Sequence, residues 1–469
     1  MSRRYVMAFG IFKKKNTADI IYINGHIYTQ DPAFPWASAV ACREGRVLAV
    51  GDFDGMDEII SEDTVVYDLE EKYVFPGFID VHGTPVLKVF EDKYLSIDPV
   101  WDLDTVLEAV SDYAEACENE VIFAYGYNEN ILSDYDDPED AHRLLDEAVH
   151  DRPVVLLGIS GVHCWINTLA SDMVTEAAED EGLEYISADY ILNFLSPFDF
   201  EEVEKAVLQN EEDLADRGIT SVMNLCAPDY LSMLYQDCLV AMIGESISIK
   251  QRFAGSLYVN RPLNPELILH KLSTGKTNCT ELGGLITFDH LKLEVNQDEE
   301  QAYFSQEALD TICLAAAEKG YHIHLDALDQ ESFDKAADSF GYVRSKGCKH
   351  NTLIVACDQS AEEDAPYITT WPTDYLNESV FAHCHSVSDA IDQLTTKAAE
   401  ILGRSDEFGS IEQGKIADFT VFEENPFDSN LENFSKMHAA LTVIDSQIAY
   451  DVDEECMEEM CDLLLSMRL

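Results

Sequence analysis

A chain of 469 residues that is 46% hydrophobic and 26% charged has enough apolar material for a sizeable core, and its 90 acidic residues against 30 basic ones leave a formal net charge of -60. Such a surface repels phosphate backbones and anionic lipid, which argues against nucleic acid and membranes as partners. No apolar run reaches about 18 residues, so no transmembrane helix is expected; residues 5–12 are apolar but short and lead into Lys13, Lys14 and Lys15 without a small-residue cleavage site, and the twelve cysteines are scattered with no CxxC pair, which fits free thiols in a reducing cytoplasm.

Residues 1–17 read as a basic, disordered lead. From Ala18 the texture is β: ADIIYINGHIYT, SAVACREGRVLAVG and TVVYDLEEKYVFPG follow one another. Val40, Cys42, Val47 and Ala49 alternate, and Asn24-Gly25 and Glu44-Gly45 read as hairpin turns, which predicts a small antiparallel sheet. After Pro76-Gly77 short apolar runs recur between helical stretches, at 121–127, 153–160, 219–225, 286–295, 321–327 and 352–358. A helix over 201–217 places Val203, Ala206, Val207 and Leu214 on one face and stops at Gly218. Another over 306–319 does the same with Leu309, Ile312, Cys313 and Ala316 and stops at Gly320. Repeated helix–Gly–strand units imply parallel strands joined by crossovers. A helix over 388–402 then leads back to β texture in FGSIEQGKIADFTVF and ALTVIDSQIAYD, and residues 452–469 read as an acidic, then apolar, docking helix.

Three segments resemble the amidohydrolase superfamily: Ala18–Gly51 running on to Val74–His82, the helix 388–402 with Gly403-Arg404, and Phe408–Phe419. Asp146–Asn167 is similar to a stretch in the branch that contains the N-substituted formamide deformylases. The resemblance implies a (β/α)-barrel of the TIM type over 76–403, shortened at its last two strands and carrying an insertion around 120–200. It also implies a composite β-sandwich built from 18–75 and 404–451.

In that family a divalent metal lowers the pKa of a bound water to about 7 and so supplies the nucleophile. Its ligands stand at the C-terminal ends of the barrel strands. The resemblance places His82 as the first ligand, with Thr84 where a second histidine belongs, and Lys292 as the strand-four lysine. His324 joins the metal set, and Asp326 falls where the strand-five histidine is expected. The strand-six position falls on Ala356 or Cys357. From strand six to residue 388 only about thirty residues remain, whereas two β/α units take about thirty each; Asp374 is the one stand-in for the missing base. His163 and Trp165 match the insertion's substrate-binding pattern with a one-residue slip, Val162 holding the expected histidine position.

Each of these has a plainer reading. His82 alone does not hold an ion, and Lys292 can instead pair with Glu294 or another acid. His322, His324 and Asp326 fit a core strand with a polar mouth, and His383-Cys384-His385 fits a strand end. Two functions remain in play. One is a metal-dependent hydrolase of non-peptide carbon–nitrogen bonds in amides, formamides or cyclic imides, with Asp326 and Asp374 as catalytic groups, His82, Lys292 and His324 on the metal, and zinc first among the metals. The other is a metal-free pseudoenzyme of the same fold that binds a small molecule or a partner protein. A small-molecule substrate, a cytoplasmic location and an assembly of identical chains are compatible with both.

Overall fold

A computed structural model of the chain describes residues 17–452 apart from 84–85, 87–92, 99, 134, 136–137, 159–162, 182–185, 199, 225–234, 236–237, 244–248, 260–264, 280–284, 296–303, 328–329, 349–352 and 358–383. The expected basic lead (bar Thr17) and the expected C-terminal helix (bar Val452) lie outside the described residues. The chain divides into two units, the first made of Met1–Thr84, Gln209–Cys226 and Ser248–Leu469, the second of Pro85–Leu208 and Ala227–Ile247.

The first unit opens with β1 (Ile20–Tyr28), β2 (Trp36–Arg43), β3 (Arg46–Gly51), β4 (Val65–Asp68) and β5 (Tyr73–Pro76). The alternation of apolar residues is explained by two cores: Tyr22, Val40, Cys42 and Val47 pack in one cluster and Ile21, Ala39 and Ala41 in another. Glu44 and Gly45, at φ +50° and +76°, form the expected tight turn between β2 and β3. The Asn24-Gly25 expectation is corrected. This pair lies inside β1 at a register irregularity, where the strand passes its parallel pairing from β4, at Ile20–Ile23, to β5, at His26 and Ile27. A left-handed Asn24, at φ +57°, lets the strand bend there. A Cβ on Gly25 would press into the Leu69 side chain. Directly after β5 comes β6 (Phe78–Gly83), which belongs to a different sheet.

The second unit contains β7 (Leu95–Ser96), β8 (Ile122–Tyr127), β9 (Val154–Gly158) and β10 (Cys164–Ile166), in the spatial order β10-β9-β8-β7. The apolar runs at 121–127 and 153–160 therefore build a sheet of their own. Its core joins Ile122, Ala124 and Leu156 to Val106 and Val110 of the helix Leu103–Ala116 and to Leu145 of Pro138–Ala148. Asp102 starts the first of these helices by accepting from the Thr105 N–H at 2.9 Å.

The remaining strands of the first unit are β11 (Ile219–Asn224), β12 (Arg252–Val259), β13 (Ile286–Glu294), β14 (His322–Ala327) and β15 (Leu353–Cys357). With β6 they form one six-stranded sheet in the order β6-β11-β12-β13-β14-β15, every neighbouring pair parallel. Strand order follows chain order, as crossovers by the helices Pro265–Cys279, Gln306–Glu318 and Gln330–Ser345 require. Leu309, Ile312, Cys313 and Ala316 are the buried face of the second of these, and Gly320, at φ +84°, follows it. Residues 358–383, where the last two barrel strands were expected, lie outside the described residues.

The chain's far end returns to the first sheet. β16 (Phe419–Phe422), β17 (Leu441–Ile444) and β18 (Gln447–Asp451) extend it to the path β18-β17-β16-β5-β1-β2-β3, with β4 on β1 off that path. Arg252, at the start of β12, is buried and forms ion pairs with buried Asp418 and with Asp445. Burial pushes the Asp418 carboxyl up, and Arg252 opposes that rise. Thr420 Oγ1 also donates to the Gly218 carbonyl at 2.6 Å. The two ends of the chain and the start of the parallel sheet are thus fixed to one another.

Glu211, in the helix Phe200–Asp216, is 3% exposed and accepts from the Lys250 N–H at 3.2 Å. Burial pushes its carboxyl up to about 7 from 4.5, against the pull of Lys250. A raised carboxyl pKa means that the folded chain holds a proton which the unfolded chain has released. The charged form therefore destabilises the fold progressively as pH rises from 4.5 through about 7. Glu211→Gln, which keeps a carbonyl acceptor, is expected to raise stability by about 3 kcal/mol near pH 8 and by about 1 kcal/mol or less near pH 5. Denaturant melts at the two pH values check this; an equal effect at both would contradict it.

Candidate functional site

In a parallel sheet, residues in register on neighbouring strands point to the same face, and alternate residues along one strand share that face. Across β13 and β14 the register pairs His290 with His322, Lys292 with His324, and Glu294 with Asp326. Six polar or charged residues therefore form three successive rungs on one face, rising toward the C-terminal ends of the strands. That end is where sites on folds of this kind are assembled. The residues between them, Leu291, Leu293, Ile323 and Leu325, are all fully buried aliphatics facing the other way.

The upper two rungs carry the charge. Lys292 Nζ lies 2.7 Å from Asp326 Oδ2, with side-chain exposures of 4% and 27%. On its other side Lys292 meets β12: its register partner there is Tyr258, and the ammonium sits 5.3 Å from the centre of that ring. The Tyr258 hydroxyl in turn donates to Glu294 Oε1. Lys292 is thus flanked by an aromatic face and a carboxylate, with buried His324 opposite it. An ammonium in such a setting is stabilised as a cation.

The lowest rung is packed differently. The His290 and His322 rings stack at 5.0 Å, and His290 tilts against His324 at 5.6 Å. β13 has one extra residue here, Asp289, between the register pairs of Phe288 and His290 with β12. Asp289 Oδ1 lies 2.9 Å from His290 Nδ1. Burial alone would raise the Asp289 carboxyl, but His290, His322 and a Thr287 hydrogen bond hold it well below the usual carboxylate range. His290 is 1% exposed, and its Nε2 has no hydrogen-bond partner among the described residues. Gly403 closes this rung from the end of the helix Ala398–Ile401: at φ +67° it lies where a Cβ would overlap the His322 ring.

The expected site residues sort as follows. Lys292, His324 and Asp326 come together as described. His82 stands on β6, the first strand of the sheet, and its side chain lies outside the described residues, as do those of Ala356 and Cys357 on β15. Thr84, Asp374 and His383 lie wholly outside them. Cys384 is half-buried, its thiol pushed up to about 11 by burial and by Asp389, and His385 is exposed. His163 and Trp165 belong to the second unit. Trp165 is 2% exposed and donates its indole N–H to the Ala141 carbonyl at 2.7 Å. His163 is exposed, with Nδ1 2.6 Å from the buried Tyr127 hydroxyl. Sequence reading missed Tyr258, Tyr127 and the Asp289–His290 pair. For Tyr258 the available signal was weak: only Phe253 and Leu257–Val259 mark the run RFAGSLYV, which is β12, as a strand.

A divalent ion needs lone pairs converging from several groups. A protonated lysine has none, and Lys292 places its positive charge 2.7 Å from Asp326, where an ion would have to neutralise that carboxylate. Among the described residues no group of three or more His, Cys, Asp or Glu side chains is arranged to hold a metal. The described side chains of β13 and β14 therefore do not fit a divalent ion.

The six-stranded parallel sheet thus carries polar residues at its C-terminal mouth, and a second sheet is built from both ends of the chain. The profile described as Amidohydrolase family matches residues 65–358 and 363–450, so the chain belongs to the amidohydrolase family. It is 23% identical over 543 aligned positions to the amidohydrolase-type protein YtcJ of Bacillus subtilis (strain 168), covering 92% of this chain and 99% of that one. Protein LONG AFTER FAR-RED 3 of Arabidopsis thaliana is 25% identical over 72% of this chain, and N-substituted formamide deformylase of Arthrobacter pascens 27% identical over 33% of it. The chain spans 60% of the length of the Arabidopsis protein and 29% of the deformylase. Among solved structures, an uncharacterized metal-dependent hydrolase from Pyrococcus horikoshii matches 88% of this chain with a TM-score of 0.58 at 15% identity, which is a likeness of fold.

Gly403→Ala combines a left-handed backbone with a collision at the His322 ring. It is expected to lower stability by about 2–3 kcal/mol, since the ring is held by the His290 stack and the glycine by its helix end. A chemical-denaturation comparison with Gly341→Ala, where a Cβ meets nothing within 4 Å, checks it. Equal stability of the two variants would contradict the packing described here.

Proposed function

We propose that the chain is a hydrolase of non-peptide carbon–nitrogen bonds in small molecules, with amides, N-formyl amines and cyclic imides as the substrate classes, working at the C-terminal mouth of β13 and β14. The observation that carries this is the Lys292–Asp326 pair, 2.7 Å apart at the end of the parallel strands of a family member. The likeness to a formamide deformylase supports the choice of bond, and solved neighbours named metal-dependent hydrolases support hydrolysis as the reaction class.

The described residues can carry such a reaction in a definite way. Lys292 offers N–H donors to a carbonyl oxygen that gains negative charge as water attacks. Asp326 takes the proton from that water; the new C–O bond forms, the C–N bond breaks, and the proton passes to the departing nitrogen. Glu294, held by Tyr258, keeps the mouth acidic. His82 and Asp374 remain candidate groups of the resemblance, with the His82 side chain and the whole of Asp374 outside the described residues. Family membership suggests divalent-metal use, with zinc the first expectation from the sequence, whereas the described donors of β13 and β14 do not fit an ion. A (β/α)-barrel of the TIM type shortened at its last two strands, a cytoplasmic location, assembly from identical chains and the absence of nucleic acid or membrane partners complete the proposal. Its support on the last point is the net charge of -60, together with the lack, among the described residues, of a helix long and apolar enough to cross a membrane.

A second reading has its own support. Because Asp326 is already neutralised by Lys292, the mouth can bind a small molecule without turning it over. A panel of N-formyl amines, simple amides and cyclic imides, followed by release of formate, ammonia or amine, separates the two. Wild type is expected to turn over at least one class, with the rate falling by about 100-fold or more in Asp326→Asn. Saturable ligand binding without turnover by the folded protein would sink the hydrolase and leave the binder.

A further inference from the structure

We infer that the second unit is a salt-dependent element of the fold: at about 0.1 M salt its own sheet, β7 to β10, opens while the first unit stays folded, and at about 1 M or more it closes. The agent is the screening of like charges by mobile cations, so no ion is assigned a fixed place, and the inference holds whether or not the chain hydrolyses anything.

The acidity is not spread evenly. Of the 90 acidic and 30 basic residues, 33 and 5 fall in Pro85–Leu208 and Ala227–Ile247. The second unit thus carries a net -28 on 145 residues, and the first a net -32 on 324, about half that density. The helices show where this charge stands. On Leu103–Ala116, Val106, Val110 and Ala114 are buried, while Asp104, Glu108, Asp112 and Glu115 follow one another at helical spacing on the exposed side. On Thr168–Glu181, Ala170, Val174 and Ala178 are buried, while Asp172, Glu176 and Glu179 form the same kind of exposed row. Neither helix contains a Lys or an Arg. Side chains three and four apart on a helix are neighbours, with about 5–6 Å between Cβ atoms, and like charges there repel. The Debye length is about 10 Å at 0.1 M salt and about 3 Å at 1 M, so each row is unscreened in the first and screened in the second. The helix dipoles act in the same direction. Leu103–Ala116, Pro138–Ala148, Thr168–Glu181 and Ala188–Leu195 all lack a basic residue in the last turn, and Glu115 and Glu179 set carboxylates at two of these negative ends. The unit's two arginines are engaged elsewhere: Arg143 pairs with Glu139 and Asp140 on its own helix, and Arg152 donates Nη1 to the Cys117 and Asn119 carbonyls. The first unit differs, because its buried cations tie separate strands together, Arg252 to Asp418 and Asp445, and Lys292 to Asp326. Buried pairs of this kind respond far less to salt than exposed rows do.

Amide hydrogen exchange followed peptide by peptide in the full-length protein, between about 0.1 M and about 3 M potassium chloride and again in sodium chloride and choline chloride, tests this. On going to low salt the amides of β8 and β9 are expected to lose about 100-fold or more in protection, and those of β13 and β14 less than about 3-fold, with the three salts equivalent at equal ionic strength. Glu108→Lys/Glu176→Lys, which puts a cation in the middle of each row, is expected to lower the salt midpoint for β8 and β9 by about twofold or more. Equal loss of protection in both sheets, or none in either, would overturn the inference. So would a response confined to one cation, which would mean a bound ion rather than screening, or a folded double variant whose midpoint is unmoved.

Discussion

The register of β13 against β14 is the constraint on which the site depends. It sets three polar rungs on one face and makes Lys292 and Asp326 neighbours across adjacent strands, one register step apart. A shift by one residue would turn the aliphatics Leu291, Leu293, Ile323 and Leu325 onto that face and the charges into the packed layer, at a loss no local rearrangement could offset. The register is fixed from below as well. His290, His322 and Gly403 interlock, and the extra residue Asp289 in β13 marks where the strand adjusts to β12. The lower rung is thus a packing device, and the upper two hold the charged side chains.

A second fixed point holds this sheet to the one formed by the chain ends. Arg252 begins β12, and its guanidinium reaches Asp418, beside β16, and Asp445, at the turn between β17 and β18. Breaking a buried pair by deleting one partner leaves an uncompensated charge and typically costs about 3–5 kcal/mol. The motif IADFTVF is therefore explained physically: its aspartate closes the chain upon itself. Gly218 and Thr420 join at the same place, with the glycine's missing side chain giving the threonine room.

Much of this was legible in the sequence. Apolar runs at 219–225, 286–295, 321–327 and 352–358 announced β11, β13, β14 and β15, β6 came with the family resemblance, and the helix faces of 201–217 and 306–319 were read from their spacing. β12 escaped because its glycine and serine interrupt the apolar run, and with it went Tyr258 and Arg252. Asn24-Gly25 looked like a hairpin turn because the same dihedral needs serve a kink inside a long strand. At the site, the shared face of His322, His324 and Asp326 follows from period two alone. The Lys292–Asp326 pair does not, because a cross-strand register one step out of line cannot be counted along a single segment. The separate sheet of the second unit was hidden too: its strands have the same composition as barrel strands, and only their hydrogen-bond partners tell them apart.

The most direct measurement is a double-mutant cycle on Lys292→Met and Asp326→Asn by urea unfolding, in the presence and absence of a chelator. If the ammonium is the true counter-ion of Asp326, the two side chains are coupled by about 2 kcal/mol or more, and the chelator leaves that coupling unchanged. A coupling near zero, or one that appears only when the chelator strips the protein, would show that something other than Lys292 neutralises Asp326.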